Sequence, residues 1–184
     1  MLDQAKEAYE AGDAARAVEI YGQILKRDPE HVLAWLNMGN ILKGLGRLNA
    51  AEIAYMRTLE VNPFYLFGNI ALAQLYLANK EPEKALEVLK SVREWHTVGD
   101  SEISLYMGLA FSFQKKMELA VEELQNAIRL NPGFDLPYYY LGVQYLNSRP
   151  KLSKKHLKKF LALSAKKQGN PNLITKAQQL LGKL

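Results

Sequence analysis

The sequence contains no cysteine, and this absence excludes several kinds of protein. Without thiols there is no disulfide framework, no thiolate nucleophile and no zinc site of the cysteine type. Histidine is also scarce: only His31, His96 and His156 occur, and none has a second histidine three or four residues away. We therefore predict no metal site.

Long apolar runs are missing as well. No stretch approaches the roughly 18 uninterrupted apolar residues of a membrane-spanning helix, and the N-terminal residues MLDQAKEAYEAGD lack the basic and apolar regions of a secretory signal. Apolar residues nevertheless make up 48% of the 184-residue chain, enough to form a packed core. These features predict a cytoplasmic protein that folds as a single domain over residues 1–184.

Catalytic motifs are lacking too. There is no HExxH pair, no GxSxG turn and no phosphate-binding loop. Gly44 and Gly46 form a GxG, but Asn49 stands where a dinucleotide-binding fingerprint has its third glycine, so a helix end and a turn are the favoured interpretation. The sequence therefore predicts a protein that is not an enzyme and carries no cofactor.

Acidic residues are absent from one end of the chain. Residues 1–148 carry 14 Lys and Arg and all 19 acids, a net charge of −5, whereas residues 149–184 carry 10 basic residues and no acid. Lysines in the second segment flank apolar residues at helical spacing, which predicts an amphipathic helix with a basic outer face. This basic patch consists of Lys151, Lys154, Lys155, Lys158 and Lys159.

What the sequence does contain is a repeat. Small residues recur at spacings of 34, 34 and 35 residues, namely Ala17, Ala51, Ala85 and Ala120. Pro29 and Pro63 also lie 34 residues apart, and Pro132 follows 69 residues later. A constant period of this length indicates stacked helical hairpins, because one such unit cannot bury its apolar face alone.

The clearest copy of the repeat covers residues 32–65. Its apolar and small residues describe two amphipathic helices, each too short to be stable alone. Seven residues of this copy stand where the tetratricopeptide pattern has W, L, G, Y, A, F and P. They are Trp35, Met38, Gly39, Leu42, Ala51, Tyr55 and Pro63. The sequence thus resembles the tetratricopeptide repeat family over residues 1 to about 148. The resemblance implies an all-α fold, a right-handed superhelical solenoid of helical hairpins.

We predict about five hairpins followed by a capping helix. The hairpins cover residues 1–31, 32–65, 66–100, 101–134 and 135–168, and the capping helix covers residues 171–183. The third unit has an extra residue near 97–100 and no closing proline. In the fifth, Lys154 stands where the small residue belongs, which predicts a helix packed in a shifted or splayed way. Met1 falls at the fourth position of the repeat, so we expect a longer native chain.

The resemblance also implies where a partner binds. In this family the first helix of each hairpin lines the inner surface of the superhelix, and the positions facing that groove are mostly apolar here. An exposed apolar surface of this kind usually marks a partner site. The predicted groove residues are Asn37, Asn40, Phe67, Ile70, Gln74, Leu105, Tyr106, Leu109, Phe113, Tyr139, Tyr140 and Val143.

We expect this groove to bind an apolar peptide or amphipathic helix of a protein partner, oriented by hydrogen bonds from Asn37, Asn40 and Gln74. One alternative is that superhelical curvature, or the last helix, covers much of the surface in the free protein. An acidic C-terminal tail, held as in chaperone-binding members of the family, is disfavoured because Phe67 and Ala71 stand where that clamp needs cations.

Two other functions stay open beside a protein-binding scaffold. The basic patch could bind nucleic acid, an anionic membrane or an acidic protein through salt-sensitive attraction, although a solubilising exterior is the favoured interpretation. The chain could also be the regulatory portion of a larger enzyme whose catalytic domain lies elsewhere.

Overall fold

The computed structural model describes residues 1–95, 100–167 and 169–184, which form α-helices and no strand. Eleven helices lie in these residues: α1 (Leu2–Glu10), α2 (Ala14–Arg27), α3 (Val32–Gly44), α4 (Leu48–Val61), α5 (Leu66–Ala78), α6 (Pro82–Trp95), α7 (Ser101–Phe113), α8 (Met117–Leu130), α9 (Leu136–Gln144), α10 (Pro150–Lys167) and α11 (Pro171–Leu181). The predicted all-α fold is confirmed.

Consecutive helices pack as hairpins. The contacting pairs are α1 with α2, α3 with α4, α5 with α6, α7 with α8, and α9 with α10, while α11 packs on α10. Neighbouring hairpins meet through α2 and α3, α4 and α5, and α8 and α9. The first helices also touch one another, α3 with α5 and α7 with α9. These are the five predicted hairpins and the predicted capping helix.

The contacts divide the chain into two compact units, Met1–Trp95 and His96–Leu184. The first unit contains the hairpins from α1 to α6, and the second contains α7 to α11. The expectation of one domain over residues 1–184 stays a prediction. The irregularity predicted near residues 97–100 lies outside the described residues apart from Asp100, whose carboxylate caps α7 by accepting bonds from Glu102 N and Ile103 N.

Small residues allow the two helices of a hairpin to lie close together. A Cβ atom added to three of the glycines would come too near a side chain of the second helix: 2.6 Å from Tyr55 at Gly39, 2.9 Å from Leu124 at Gly108, and 2.6 Å from Leu157 at Gly142. Alanines fill the facing positions and are fully buried: Ala17, Ala51, Ala85 and Ala120. The repeated small residues therefore mark helix contacts.

The turn between hairpins repeats one hydrogen-bonding pattern. In three turns the proline carbonyl accepts a bond from a side chain six residues later: Trp35 Nε1 to Pro29 O at 2.7 Å, Asn69 Nδ2 to Pro63 O at 2.9 Å, and Tyr138 Oη to Pro132 O at 3.2 Å. The donors differ in chemistry but occupy the same place on the first helix. Each bond ties a proline turn to the helix that follows it.

The fifth hairpin keeps the packing of the others with a register shifted by one residue. Ser153 is fully buried at the position of the small residue, and Leu157, four residues later, contacts Gly142 as Leu124 contacts Gly108. Lys154, which the 34-residue period places at that position, is exposed instead. The predicted shift is confirmed, whereas the helix is not splayed, because a serine one residue earlier lets the helices close.

The last helix covers the end of the second unit, as predicted. The Asn170 side chain caps α11 by accepting bonds from Asn172 N and Leu173 N, and Pro171 is its first residue. The apolar face of α11 contributes Ala177 to a buried cluster with Tyr139, Leu157 and Phe160, which we call the end cluster. The face consists of Leu173, Ile174, Ala177, Leu180 and Leu181.

Candidate functional site

The predicted groove residues differ widely in exposure. Four are exposed: Asn40, Phe67, Phe113 and Val143. Five are partly buried: Asn37, Gln74, Tyr106, Leu109 and Tyr140. Three are buried in the core, with exposed fractions of 4% or less for Ile70 and Leu105 and 7% for Tyr139.

The structure therefore places these three predicted groove residues in the packed core and not on an open surface. A first helix packs on more than one neighbour; α5, for example, contacts α3, α4 and α6. Its buried stripe is consequently wider than that of a helix packed on one side only. Ile70, Leu105 and Tyr139 fall within that wider stripe and serve the core.

In the second unit, an apolar surface remains open on α7 and α9. Phe113 is 52% exposed and Val143 is 39% exposed. Tyr106 and Leu109 lie partly exposed on α7 and pack against the buried cluster that contains Leu105 and Leu141. We call Tyr106, Leu109, Phe113 and Val143 the apolar inner surface.

A hydrogen bond joins the two helices that carry this surface. Gln144 Nε2 on α9 donates to Ser112 Oγ on α7. Ser112 directly precedes Phe113, and Gln144 directly follows Val143, so the bond joins the two exposed apolar positions through their chain neighbours. The spacing of α7 and α9 at this surface is thereby held by a polar contact as well as by the core.

Tyr140 has a different role from the rest of the predicted groove. Its side chain packs against both the Leu105–Leu141 cluster and the end cluster, and its ring meets that of Tyr139 edge-on at 5.2 Å. Burial, together with the neighbouring Tyr139, raises the pKa of the Tyr140 phenol. Because the end cluster includes Ala177 of α11, Tyr139 and Tyr140 help to anchor the capping helix.

In the first unit three of the predicted groove residues carry side-chain amides, and these amides already have partners. Three side-chain pairs form there: Asn37 with Tyr21, Asn40 Oδ1 accepting from Tyr55 Oη at 2.8 Å, and Gln74 Oε1 accepting from Lys43 Nζ at 3.2 Å. Burial lowers the pKa of Lys43 and raises that of Tyr55 to about 12. A cleft of about 310 Å³ lies beside Asn37 and Asn40, between α1 and α3.

The five lysines of the predicted basic patch are all exposed on α10. The apolar residues of this helix, among them Leu157 and Phe160, face the core, so the predicted amphipathic character is confirmed. The structure divides the patch, because Lys155, Lys158 and Lys159 line a cleft with residues of α8 and α9, whereas Lys151 and Lys154 do not.

Sequence reasoning missed the other residues of that cleft, which include Ile128, Arg129, Tyr138 and His156. They come from three helices that are separated along the chain. The available signal was the spacing of Lys155, Lys158 and Lys159, which places three cations on one side of a helix.

The two described histidines, His31 and His156, make contacts within the fold. His31 Nδ1 accepts a bond from Ala34 N at the start of α3. The centroid of the His156 ring lies 6.0 Å from that of Tyr138 and 5.8 Å from that of Tyr145, and burial, with nearby Lys155, lowers the pKa of His156. His96 lies outside the described residues. Within residues 1–95, 100–167 and 169–184, no three His, Cys, Asp or Glu side chains are grouped to hold a metal ion.

The described helices range from 9 to 18 residues in length. None of them combines the length and the apolar character that crossing a bilayer requires. The longest, α10, has 18 residues and carries seven lysines.

Hairpins of two helices, repeated about every 34 residues and joined at three junctions by proline turns, define a helical-repeat protein. The sequence profile described as Tetratricopeptide repeat matches residues 2–65. Residues 2–65 thus carry the tetratricopeptide repeat pattern, and the described remainder of the chain continues the same arrangement of helical hairpins.

Solved structures support this fold over nearly the whole chain. TTC0263, described as a thermophilic TPR protein in Thermus thermophilus, is 21% identical, with a TM-score of 0.80 over 98% of this chain and 96% of that one. YrrB, described as a TPR protein with an unusual peptide-binding site, is 17% identical, with a TM-score of 0.67 over 97% of this chain and 90% of that one.

One curated relative matches part of the sequence. General transcription factor 3C polypeptide 3 from Homo sapiens is 26% identical over 98 residues. The match covers 53% of this chain and only 11% of the human protein.

Proposed function

We propose that this chain is a protein-interaction scaffold and that its apolar inner surface binds an apolar peptide or amphipathic helix of a partner. The observation that carries the proposal is the exposure of Phe113 and Val143 beside Tyr106 and Leu109 on the first helices α7 and α9. Covering the exposed half of a phenylalanine contributes on the order of 1 kcal/mol to association. Several such side chains together form the apolar centre of a small interface.

The fold supports a role in binding. Tetratricopeptide repeats hold their first helices side by side, and here α7 and α9 are held by a core and by the Gln144–Ser112 hydrogen bond. A surface that is already ordered loses little conformational entropy when a partner docks. YrrB, which shares the fold, is described as having a peptide-binding site, and that precedent agrees with binding of a peptide by this chain.

The first unit would add polar contacts to the same scaffold. Asn37, Asn40 and Gln74 lie on its first helices, and Phe67, 59% exposed, packs its ring edge-on against Tyr65 at 5.9 Å. We propose that these residues orient a partner segment that binds to the first unit. In this proposal the chain acts by binding, with no catalytic step and no cofactor.

The test compares Phe113→Ser with Leu119→Ser in the full chain. The two side chains are similarly exposed, at 52% and 42%, but Leu119 lies on the second helix α8. Tagged wild type and variants are used to capture proteins from an extract of the source cells, and the captured proteins are quantified by mass spectrometry. A loss of about 1 kcal/mol in binding free energy lowers the affinity of the chain for its partner roughly fivefold.

We expect the proteins that wild type and Leu119→Ser capture to be captured in smaller amounts by Phe113→Ser. Tyr106→Ala provides a second variant on the same surface. Tyr140→Ala is less suitable, because Tyr140 packs in two clusters and its loss would disturb the fold. Equal capture by Phe113→Ser, Tyr106→Ala and wild type would show that a partner does not use this surface.

A further inference from the structure

A second recess opens on the side of the second unit where the second helices α8 and α10 lie. It measures about 700 Å³, within the range of ordinary ligand sites. Ile128, Tyr138 and His156 contribute apolar surface, and Arg129, Lys155, Lys158 and Lys159 contribute positive charge. We call this recess the basic cleft. It shares no residue with the apolar inner surface.

The positive charge of the basic cleft is not balanced nearby. Among the described residues, no acidic side chain lines the cleft, and the sequence contains no acid after Asp135. Within the described part of the chain, Lys155, Lys158 and Lys159 form no ion pair, and Arg129 donates to the neutral amide of Asn126 at 2.5 Å. Four cations around one recess raise the local concentration of anionic groups.

The aromatic residues of the cleft are held in place. The His156 ring packs near the rings of Tyr138 and Tyr145, and Tyr138 Oη donates to the carbonyl of Pro132. Ile128 packs against the core of the unit. The cleft therefore combines an apolar lining, held in place by these contacts, with long cationic side chains.

We propose that the basic cleft binds an acidic segment of a protein partner, independently of the apolar inner surface. Carboxylates of the segment pair with Arg129, Lys155, Lys158 and Lys159, and one of its apolar side chains is buried against Ile128 and Tyr138. Cations alone would attract any polyanion, whereas the apolar lining selects a ligand that carries apolar side chains among its charges.

The same geometry disfavours a membrane surface. Among the described residues of α10 and α11, no large apolar side chain is exposed, so the basic end has nothing to insert between lipid tails. The cations also surround a recess, which a flat bilayer does not fill.

It also disfavours nucleic acid. Binding of single strands relies on open aromatic faces on which bases stack. Here the Tyr138 and His156 rings lie against one another at 6.0 Å, tilted by 36°, and both are partly buried.

The experiment measures binding of four fluorescent probes to the full chain at low salt. One probe is a short peptide of glutamates around a central leucine and phenylalanine, and its matched form has two serines at the centre. The others are an oligothymidylate of equal charge and vesicles of phosphatidylcholine with phosphatidylserine.

Two triple variants with the same change in charge give the decisive comparison. Lys155→Gln, Lys158→Gln and Lys159→Gln alter the cleft, whereas Lys151→Gln, Lys154→Gln and Lys166→Gln alter exposed lysines of the same helix outside it. Circular dichroism and thermal unfolding check that both variants fold as wild type does. We expect the cleft variant to lose on the order of tenfold in affinity for the leucine–phenylalanine peptide, and the control variant less than about twofold.

We also expect the serine-centred peptide to bind more weakly than the leucine–phenylalanine peptide. Three results would overturn the proposal: no binding of the peptide at low salt, equal losses in the two triple variants, or tighter binding of the oligonucleotide or the vesicles than of the peptide. The apolar inner surface is untouched by these substitutions, so the result is separate from the test with Phe113→Ser.

Discussion

The hydroxyl of Ser153 donates a 2.7 Å hydrogen bond to the carbonyl oxygen of Gly142, and both residues are buried between α9 and α10. Carbonyls in the last turn of a helix have no partner within that helix. Near the end of α9, Leu146 N donates to Val143 O, and the Gly142 carbonyl receives its bond from the neighbouring helix. The serine thus serves both as the small residue of the hairpin and as a cap.

Replacing Ser153 by alanine should destabilise the second unit although alanine is the usual residue at this position. The change leaves the buried Gly142 carbonyl without its donor, at a cost of roughly 1–3 kcal/mol. Urea unfolding of the full chain measures the loss. Lys154→Ala is the control and should change stability by less than about 0.5 kcal/mol, because Lys154 is exposed. The reverse order of effects would show that Lys154 holds the small-residue position.

Two glycine-to-alanine changes should have opposite effects. A Cβ at Gly39 would lie 2.6 Å from the Tyr55 ring, so Gly39→Ala should cost about 1–3 kcal/mol through overpacking. Gly22 lies inside α2 with nothing within 4 Å of the added atom, so Gly22→Ala should gain up to about 1 kcal/mol in helix propensity. Thermal unfolding of both variants provides the comparison. Equal stabilities would contradict the close packing of α3 on α4.

The buried phenol of Tyr55 should make stability depend on alkaline pH. Burial raises the pKa of Tyr55 from 10.0 to about 12, so folding favours the protonated form. This contribution is complete below pH 10 and is lost as the pH rises from about 10 towards 12. Tyr55→Phe should lower stability by about 1 kcal/mol at neutral pH, since it removes the 2.8 Å bond to Asn40.

The gap in unfolding free energy between wild type and Tyr55→Phe should therefore shrink across that alkaline window. Both chains share their other titratable groups, so the effect of those groups on the unfolding free energy cancels in this difference. Tyr9→Phe, at an exposed tyrosine of the same unit, is the control. A gap that stays constant between pH 9 and about 12 would argue against a buried Tyr55 phenol.

The capping helix should detach when a charge is placed on its buried face. Ala177 is fully buried in the end cluster, so Ala177→Glu forces a carboxylate among Tyr139, Leu157 and Phe160. We expect a loss of about 3 kcal/mol or more and increased binding of a hydrophobic dye. Gln178→Glu introduces the same charge at the adjacent exposed position and should behave as wild type does. Dye binding that rises equally in both variants would mean that charge, and not loss of the cap, is responsible.

Much of the fold was predictable from the sequence because repeat signals are local. Ala17, Ala51 and Ala85 recur at a constant period, and the prolines that follow the second helices mark the ends of hairpins. Hydrogen bonds such as that from Trp35 Nε1 to Pro29 O link residues only six positions apart, so their donors stand at fixed places in the pattern. Helix bounds and the pairing of helices follow from such short-range order.

The candidate surfaces were less predictable, because exposure depends on neighbours that are distant in sequence. Leu105 and Tyr106 are adjacent predicted groove residues, but Leu105 is fully buried while Tyr106 is partly exposed. Which of two adjacent residues reaches solvent depends on the rotation of α7 against α8 and α9. The pattern of apolar positions in the sequence does not by itself specify that rotation of α7.

The sequence by itself determined the hairpin repeat, the all-α fold, the capping helix and the concentration of positive charge after residue 148. These features follow from the spacing and composition of residues along the chain. The tertiary structure alone decided that Ser153 rather than Lys154 closes the fifth hairpin, that α11 packs on the end cluster, and that Arg129 joins Lys155, Lys158 and Lys159 around one cleft. Those outcomes depend on packing between separate helices, where a shift of one residue changes which side chains meet.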